Sequence, residues 1–565
     1  MKSSSPVSNH VSRFIRRVWF ALVIGGAAHS ASADVVTDWN ATLEAALRNP
    51  TASPFVEAHA AAIVHVAIYD AVNGLVKNYQ PLRVAAPAPA GAMPEAAAIQ
   101  AAYTTLASLF PAKRAAFDTQ LAASLAKISG NPADAPAIAL GRTWGESVAQ
   151  EILTWRANDG FSSTPTYTGS SAPGQWRHTP NAAAPAAGLN MTVTAPFALS
   201  NPSAFDPGPP YGQSDRNAAM ATAAYAADVN ELKVHGGAVS AVRTQAQADL
   251  ALLINIADFA DTFALVRRSV PPTARLVDNA RLFALMGIAA NDAAIVTFQV
   301  KYKYGMWRPI QAINFADEDG NAATSPDSSW TSLAPTPSHP EYVAAHVAID
   351  SAILGVAAAI LGEATPFTFS TTNAGAPAIT PTFANFRAYS DAIIEGRVNA
   401  GFHFRTSCTV GQTMGYAIAD QLMHSVLLPL ANSGVVGASA RGTVGTGNDT
   451  LILGFVIGAG TRQVLVRGVG PALVQFGLSN ALSDPKVALY DNTGRLIAEN
   501  DNWSTSATTV TALTEAWGKT GAFPLSAGSK DAALLATLPP GAYTAHVTGV
   551  AGSIGPALLE VYQLP

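Results

Sequence analysis

Cysteine is almost absent from this chain of 565 residues, which contains a single one, Cys408. One cysteine cannot form an intramolecular disulfide, so the stability of the protein has to come from a packed core. A structural zinc site is not expected either, because the sequence has no cluster of Cys and His residues. We expect Cys408 to be a packed thiol, with a nucleophilic thiol as the alternative.

Charged side chains are also scarce in this sequence. They make up 13% of the residues, and the formal net charge of −5 gives no basic footprint for binding nucleic acid. Apolar residues make up 49%, which suits a large buried core and excludes a disordered chain. The length exceeds that of one ordinary domain, so we expect a large domain and a smaller one.

The N-terminus has the pattern of a targeting segment. Arginines precede a short apolar run at 18–28, and Ala31-Ser32-Ala33 then offers a small-residue cleavage site before Asp34. We therefore predict a signal peptide at 1–33, cleaved near Ala33/Asp34, and a periplasmic or secreted protein. The apolar run is too short for a stable anchor, so no transmembrane segment is expected in the mature chain. A membrane anchor or a cytosolic start is the alternative.

Residues 34–430 have the pattern of a helical domain. They are rich in alanine, which favours helices, whereas 160–214 are rich in Pro, Gly, Ser and Thr and predict a long irregular excursion. Apolar residues recur at helical spacing in nine segments: 55–73, 94–109, 114–127, 137–157, 217–229, 246–263, 276–302, 341–361 and 386–400.

The composition changes near residue 431. The small, polar and glycine-rich stretch 431–449 is typical of a linker or a strand lead-in. Short runs typical of strands follow at 451–458, 463–470, 486–491, 495–500, 532–538, 541–550 and 557–564. The fold class we predict is mainly α, with a helical bundle as the main domain and a small all-β sandwich at the C-terminus, 450–565.

The first segment with unusual chemistry is KYKYGMWRP (301–309). Gly305 and Pro309 indicate that a helix ends between Lys301 and Arg308, which places Arg308 on an extended residue before proline. Two fixed cations can then converge on one spot, and the guanidinium fork suits the oxygens of an oxyanion. The alternative is a solvated basic helix end.

The second segment is PTPSHPEYVAAH (335–346). Pro340 can occupy the first position of a helix that continues from Glu341 onward. His346 would then lie in the second turn, close to the amide-rich end of the helix, where anions are favoured. A histidine satisfied within the core is the alternative.

The third segment is EGRVNAGFHF (395–404). Arg397 lies near the end of a helix that Gly401 can terminate, so His403 would be presented from the following turn. Together the three segments predict a cationic cup, in which one histidine can attack and the other can transfer protons. We use the name cationic cup for the five side chains Lys301, Arg308, His346, Arg397 and His403.

This order of residues, K-x6-RP, a histidine at a helix start and R-x3-G-x-H, resembles the signature shared by vanadium haloperoxidases and type-2 phosphatidic acid phosphatases. Trp307 before the RP pair and HPEY (339–342) are similar to the bacterial haloperoxidases. NELKVHGG (230–237) with Arg243-Thr244 resembles the same branch. The resemblance covers roughly residues 36–430 and implies a vanadate cofactor.

The resemblance also implies a role for each residue of the cup. His403 would be the axial ligand of vanadium, or would attack phosphorus in a phosphatase. His346 would be the acid–base partner, and His339 and Trp307 would be candidates for the halide site. The equatorial oxygens would be held by Lys301, Arg308, Arg397 and the backbone of Ala345.

One departure from the family pattern concerns the residues before His346. The family usually has Ser-Gly where this chain has Ala344-Ala345. The missing hydroxyl removes a hydrogen bond to a charged ligand, which typically contributes about 1.5–3 kcal/mol. Ala345 keeps its backbone N–H, although its methyl group crowds the anion.

The main functional prediction is an exported vanadate-dependent haloperoxidase, which oxidises bromide or iodide with hydrogen peroxide to hypohalous acid for a small organic acceptor. One alternative is a metal-free acid phosphatase with the same site. The resemblance to the bacterial branch and the lack of apolar helices for a membrane count against it. Another alternative is a weakened binding or envelope-associated protein. No nucleic-acid partner is expected, and a homo-oligomer is left open.

Overall fold

The computed structural model describes residues 34–48, 53–178, 185–430, 437–447, 449–458 and 461–564. The predicted signal peptide at 1–33 and its cleavage site lie outside, or at the edge of, these residues. Within the described ranges a helical part ends near Ser425 and a part dominated by strands begins at Gly437. The predicted fold class, a helical domain followed by a small β domain, is confirmed.

Fourteen α-helices form the described helical part. They are α1 (Val35–Leu47), α2 (Pro54–Val76), α3 (Pro94–Leu109), α4 (Arg114–Ile128), α5 (Ala135–Arg156), α6 (Arg216–Met220), α7 (Ala223–His235), α8 (Gln245–Ile256), α9 (Phe259–Ser269), α10 (Leu276–Tyr304), α11 (Pro309–Asn314), α12 (Ala345–Leu361), α13 (Phe386–Asn399) and α14 (Arg405–Ser425). A two-stranded hairpin, β1 (Phe367–Thr368) and β2 (Thr382–Phe383), lies between α12 and α13.

The centre of the helical domain is the contact between α2 and α10. Most residues of both helices are buried, and small side chains let the two backbones approach. A Cβ atom added at Gly287 of α10 would lie 2.8 Å from the Cα of Ala62 in α2. Alanine and glycine therefore serve close packing here as well as helix propensity.

The same two helices, α2 and α10, are long and apolar enough to cross a membrane by length and composition. The expectation that the mature chain has no transmembrane segment stays a prediction for these two helices. Their most apolar windows are 89% and 94% buried within the protein, as in the core helices of a folded domain.

The start of α12 differs from the prediction. The helix begins at Ala345, not at Glu341, so His346 lies in its first turn and not in the second. The backbone carbonyls of Pro340 and Glu341 accept hydrogen bonds from the ammonium group of Lys301. Because a tertiary contact takes these carbonyls, the segment before Ala345 keeps a non-helical path.

Two other predicted helices are each divided by an internal cap. The segment 246–263 breaks between α8 and α9, where the side chain of Asp258 accepts a hydrogen bond from the backbone N–H of Asp261. The segment 217–229 breaks between α6 and α7, where Thr222 caps α7 in the same way. Short polar side chains compete locally for backbone donors, which ends one helix and starts the next.

The predicted excursion at 160–214 contains only short 3₁₀ helices in its described residues, 160–178 and 185–214. The buried carboxylate of Asp292 on α10 holds its return to the core. That carboxylate accepts hydrogen bonds from the backbone N–H groups of Phe197, Ala198 and Leu199, at 2.7–3.0 Å. The excursion is thereby attached to the same helix that carries Lys301.

The C-terminal part contains two four-stranded antiparallel sheets, with strand orders β3-β10-β5-β8 and β4-β9-β6-β7. Their strands are β3 (Gly437–Val444), β4 (Leu451–Ile457), β5 (Arg462–Val469), β6 (Pro485–Asp491), β7 (Leu496–Asn500), β8 (Ala532–Leu538), β9 (Gly541–Gly549) and β10 (Gly555–Gln563). Strand β3 lies within the stretch 431–449, which we had taken for a linker or a strand lead-in.

One helix of the C-terminal part, α15 (Ala507–Thr520), was missed by the sequence analysis. Its β-branched threonines and valine concealed it, although its buried residues Leu513, Ala516 and Trp517 follow helical spacing. The helix packs on the sheet that contains β8 and adds a small second core. The domain is therefore a β-sandwich with one helix, not an all-β unit.

Candidate active site

Lys301 lies in the last turn of α10, where Gly305 ends the helix. Gly305 adopts a left-handed conformation (φ 56°) and its N–H donates to the carbonyl of Lys301, as expected for a helix-terminating glycine. The ammonium group of Lys301 is fully buried and donates to the carbonyls of Pro340 (2.9 Å) and Glu341 (2.8 Å). One of its three N–H groups is left for a ligand.

Arg308 follows in extended conformation (φ −76°, ψ 159°) immediately before Pro309, the first residue of α11. Its fully buried guanidinium donates through Nε to the carbonyl of His339 at 2.7 Å, and through Nη1 to the carbonyl of Phe402 at 2.9 Å. These contacts join the segments before α12 and after α13, so Arg308 aligns all three motifs.

The position of His403 depends on the turn after α13, where Gly401 has a left-handed conformation (φ 77°). The His403 side chain is 1% exposed. Its Nε2 lies 3.1 Å from Arg308 Nη1, and its Nδ1 lies 2.9 Å from Glu341 Oε1. Arginine can only donate, so Nε2 accepts and Nδ1–H donates to the carboxylate. This tautomer leaves the basic lone pair on Nε2.

Burial sets the protonation of His403 and of its partner Glu341. Burial, and next the charges of Arg308 and Lys301, lower the pKa of His403 well below its ordinary value, so its imidazole is neutral. Burial raises the pKa of Glu341 to about 7, against the opposing effects of Lys301 and Arg308. A neutral imidazole held by a carboxylate has the features of a nucleophile or a metal ligand.

Arg397 lies in the last turn of α13, 5% exposed and above the ring of Phe402. Its Nη1 lies 3.4 Å from Asn255 Oδ1, and its Nε has no hydrogen-bond partner among the described residues. Burial lowers the pKa of Arg397 to about 10. A buried donor without a partner is costly, which favours an acceptor in the space that Arg397 borders.

His346 is the second residue of α12. Its Nε2 lies 2.9 Å from Oδ2 of Asp350, one turn along the helix, and the Asp350 side chain is fully buried. This contact leaves Nδ1 as the ring nitrogen that can exchange a proton elsewhere. The preceding residue, Ala345, is the first helical residue, and a backbone N–H in that position has no partner within the helix.

A cavity of about 710 Å³ contains several of these groups in its wall: His339, Ala345, His346, Arg397 and His403. The structure thus brings together both histidines, one arginine and the start of α12. Lys301 and Arg308 lie buried behind this wall, and Arg308 connects to it through His403 and His339. All five side chains of the cationic cup therefore belong to one connected site.

The two halide-site candidates differ in position. His339 lines the cavity, with Nδ1 2.9 Å from Arg308 Nη2. Burial, and next the charge of Arg308, lower the pKa of His339 well below its ordinary value. Trp307 is fully buried in the core and is not part of the cavity wall in the described structure. The halide role of His339 and of Trp307 stays a prediction.

Three site residues were not singled out from the sequence. Glu341 holds His403, Asp350 contacts His346, and Arg243 donates to the carbonyl of Asn399 at 3.1 Å, which braces the end of α13. Glu341 and Arg243 lie inside stretches that had been noticed only as family context. An acidic residue four positions after His346 in an apolar helix was the available signal for Asp350.

The side chains of this site fit an oxyanion such as vanadate. Three cations are buried here, and burial lowers the pKa of each of them. Arg308 and Arg397 additionally lower the pKa of Lys301. A bound anion would offset this repulsion and give the unpartnered Nε of Arg397 an acceptor. The first turn of α12 adds backbone donors on the same side.

A protein-family model matches the part of the chain that contains this site. Residues 281–430, which include the whole cationic cup, match the family model described as "VCPO second helical-bundle domain". No curated protein sequence matches the chain. The family model thereby confirms the resemblance to the vanadium haloperoxidases over residues 281–430.

Solved structures show the same fold. A bacterial vanadium-dependent iodoperoxidase superposes with a TM-score of 0.57 at 20% identity, covering 70% of this chain and 96% of that chain. The holo-type bacterial vanadium-dependent chloroperoxidase superposes with a TM-score of 0.53 at 17% identity, covering 68% of this chain and 96% of that chain. Its apo-type structure gives 0.52 at 15% identity, covering 67% and 96%. At these identities the similarity shows the fold alone.

Proposed function

We propose that this chain, whose helical domain has the fold of the vanadium-dependent haloperoxidases, is an exported vanadate-dependent haloperoxidase. It would oxidise bromide or iodide with hydrogen peroxide to hypohalous acid. The observation that carries the proposal is the neutral His403, whose Nδ1 is held by Glu341, so that its lone pair lies on Nε2 beside Arg308 Nη1. A histidine that is to bind a metal through Nε2 would need this tautomer.

The residues present would hold vanadate as follows. His403 Nε2 would be the ligand of vanadium. The oxygens of vanadate would be bound by Lys301, Arg308, Arg397 and the backbone N–H of Ala345. When bound, vanadate would act as a Lewis acid that polarises hydrogen peroxide for attack by a halide. The protein's task is to bind and orient, because Lys301 and Arg308 are already anchored to backbone carbonyls.

His346 would move protons in this reaction. It lines the cavity, and Asp350 holds its Nε2, so Nδ1 is the atom that would deliver a proton to the reacting oxygen and recover it. His339 would contact the halide, and its histidine side chain resembles the bromoperoxidases. The pattern at 1–33 supports export of the protein.

A paired assay tests the proposal. The purified chain is incubated with vanadate, hydrogen peroxide and bromide, and bromination of a diketone trap is measured. A parallel sample without vanadate is tested for hydrolysis of a phosphate ester. We expect bromination that depends on vanadate and falls at least about 1,000-fold in His403→Ala, as for the loss of a residue essential to the chemistry. His424→Ala changes an exposed histidine at the end of α14 and should retain activity.

The other outcomes separate the alternatives. Phosphatase activity without bromination would replace the proposal by a metal-free acid phosphatase that uses the same side chains. If neither assay detects activity and the circular dichroism spectrum shows an intact fold, a catalytically weakened binding or envelope-associated protein would be favoured. Replacing bromide by iodide or chloride in the first assay determines the halide preference.

A further inference from the structure

The cavity next to the cationic cup is much larger than the small reactants require. A water molecule takes about 30 Å³, and halide and peroxide are of similar size. The cavity measures about 710 Å³, which lies within the range that encloses a drug-sized organic molecule. The cavity therefore has room for a further, larger molecule besides halide and peroxide.

Aromatic side chains connect the cup to a second part of the cavity wall. The ring of His339 lies 5.1 Å from that of Phe298, which in turn lies 4.7 Å from that of Phe55. On another side, the ring of His346 lies 6.1 Å from that of Phe259. All three phenylalanines line the cavity. An aromatic ring held among them would lie close to the two histidines.

The carboxyl group of Glu57 lies near both sets of aromatic side chains, the one that includes Phe55 and the one that includes Phe259. Phe55 and Glu57 belong to the first turn of α2, and the backbone N–H of Phe259 donates to Glu57 Oε2 at 3.1 Å. Both Glu57 and the neighbouring Asp258 line the cavity. The cavity therefore has an acidic wall, which consists of Glu57 and Asp258, in addition to its cationic one.

Among the described residues, no cation forms an ion pair with Glu57 or Asp258. Burial, and next the charge of Asp258, raise the pKa of Glu57 to about 9, and Asp261 adds to the effect. Arg48, which also lines this part of the cavity, is paired with Asp261 at 2.6 Å between Nη2 and Oδ1. Glu57 therefore keeps its proton near pH 7, and a cationic group placed beside Glu57 and Asp258 would favour the ionised form of Glu57.

We propose that the cavity binds the organic acceptor itself, and that this acceptor is an electron-rich aromatic molecule that carries a cationic group. The cationic group lies against Glu57 and Asp258, and the ring lies among Phe55, Phe259 and Phe298. The inference rests on the proposed function, because it names the molecule that receives the halogen. Halogenation then takes place within the cavity and depends on which acceptor the acidic wall selects.

The chemistry balances with the reactants already named. Hydrogen peroxide, bromide and one proton give hypobromous acid and water, so that peroxide is reduced and bromide is oxidised. Hypobromous acid and the aromatic C–H then give the aryl bromide and water. The C–Br bond forms, the O–Br and C–H bonds break, and the released proton joins the hydroxide.

Binding is tested first by titration calorimetry without peroxide and with saturating vanadate, so that the cationic cup is filled and does not bind the carboxylate of the anionic probe. The probes are (4-hydroxyphenethyl)trimethylammonium and 3-(4-hydroxyphenyl)propionate, which share a phenol ring and carry opposite charges. The quaternary ammonium has no N–H that a halogen could replace. We expect the cationic probe to bind at least about tenfold more tightly, as for one ion pair in a partly desolvated site. Equal binding of both probes, or no binding of either, would overturn the inference.

Two substitutions locate the effect in the acidic wall. Asp258→Asn removes the charge and keeps a good N-cap for α9, and Glu57→Gln keeps an oxygen to accept from Phe259. Each should lower the affinity for the cationic probe about fivefold or more. Glu515→Gln removes an exposed carboxylate from α15 and should leave the affinity unchanged. Unchanged affinity in both wall variants would contradict the assignment.

A competition experiment then separates this inference from the proposed function. Both probes are supplied together with vanadate, hydrogen peroxide and bromide, and the product ratio is compared with that from reagent hypobromite. A ratio at least fivefold in favour of the cationic product supports the inference. Bromination at the reagent ratio overturns it and leaves the haloperoxidase proposal intact. If no bromination occurs, the haloperoxidase proposal fails and so does the role of the cavity as an acceptor site.

Discussion

His403 and Glu341 form a buried pair in which Nδ1 of the imidazole lies 2.9 Å from Oε1 of the carboxylate, and both side chains are 1% exposed. Glu341 Oε1 also accepts the backbone N–H of Phe404 at 3.0 Å. The carboxylate therefore fixes both the ring and the chain that carries it. This relationship makes His403 a ligand of one defined tautomer.

The pair should leave a signature in the pH dependence of stability. The pKa of Glu341 is about 7 in the folded protein and 4.5 without its surroundings. Between these values the folded chain keeps a proton that the unfolded chain has released. The free energy of unfolding of the vanadate-free protein therefore falls by about 3 kcal/mol as the pH rises from 4.5 to 7.

Glu341→Gln tests this expectation, because glutamine has no proton to lose in this range. Urea denaturation of the variant and the wild type between pH 4.5 and 7.5 measures the difference in the free energy of unfolding. That difference should rise in favour of the variant with increasing pH. A difference that does not change with pH would show that Glu341 titrates normally.

Ala344→Ser should tighten vanadate binding about tenfold or more. Ala344 is the N-cap of α12 and makes no side-chain capping hydrogen bond. A serine hydroxyl there can donate to the bound anion, which is typically worth about 1.5–3 kcal/mol for a charged partner. Calorimetry with vanadate measures the effect. Ala359→Ser, on an exposed face of the same helix, is the matched control, and equal affinities of both variants would refute the role of position 344.

Asp350→Asn should lower the turnover number more than it weakens vanadate binding. Asp350 is buried and its Oδ2 lies 2.9 Å from Nε2 of His346, whereas its charge influences the pKa of Arg397 only third, after burial and Cys408. Loss of such a supporting carboxylate typically costs about 10- to 100-fold in activity. Bromination kinetics and vanadate calorimetry on one preparation separate the two quantities. Asp391→Asn, on an exposed part of α13, is the control, and a parallel loss of affinity in Asp350→Asn would contradict a role in proton transfer.

Gly401→Ala should destabilise the fold and displace His403. Gly401 has a φ of 77°, and a Cβ atom there would lie 2.3 Å from the carbonyl oxygen of Gly236. Backbone strain alone costs about 1–2 kcal/mol, and the clash adds to it. Gly91→Ala controls for the strain, because its φ is 79° and no atom lies within 4 Å of the added carbon. Melting temperatures and vanadate affinities of both variants test the prediction. Equal losses of stability and affinity in the two variants would exclude an effect of the clash.

The sequence by itself determined the chemistry of the site, because residue type and order are local properties. Gly305 and Gly401 end helices, and Pro309 begins one, through their own backbone preferences. The positions of Arg308 and His403 at helix ends could therefore be predicted from a few neighbouring residues. The helical main domain and the strands after residue 450 followed from hydrophobic spacing in the same way.

Only the tertiary structure decided how these side chains connect. Lys301 lies 39 and 40 residues from the carbonyls to which it donates, and this contact moves the start of α12 to Ala345. His403 forms its hydrogen bond with Glu341, which lies 62 residues earlier in the chain. Such pairings follow from helix packing and desolvation, which no local pattern encodes. The same reason explains why Trp307 lies outside the cavity wall, and why the acidic wall of Glu57 and Asp258 emerges only in the folded chain.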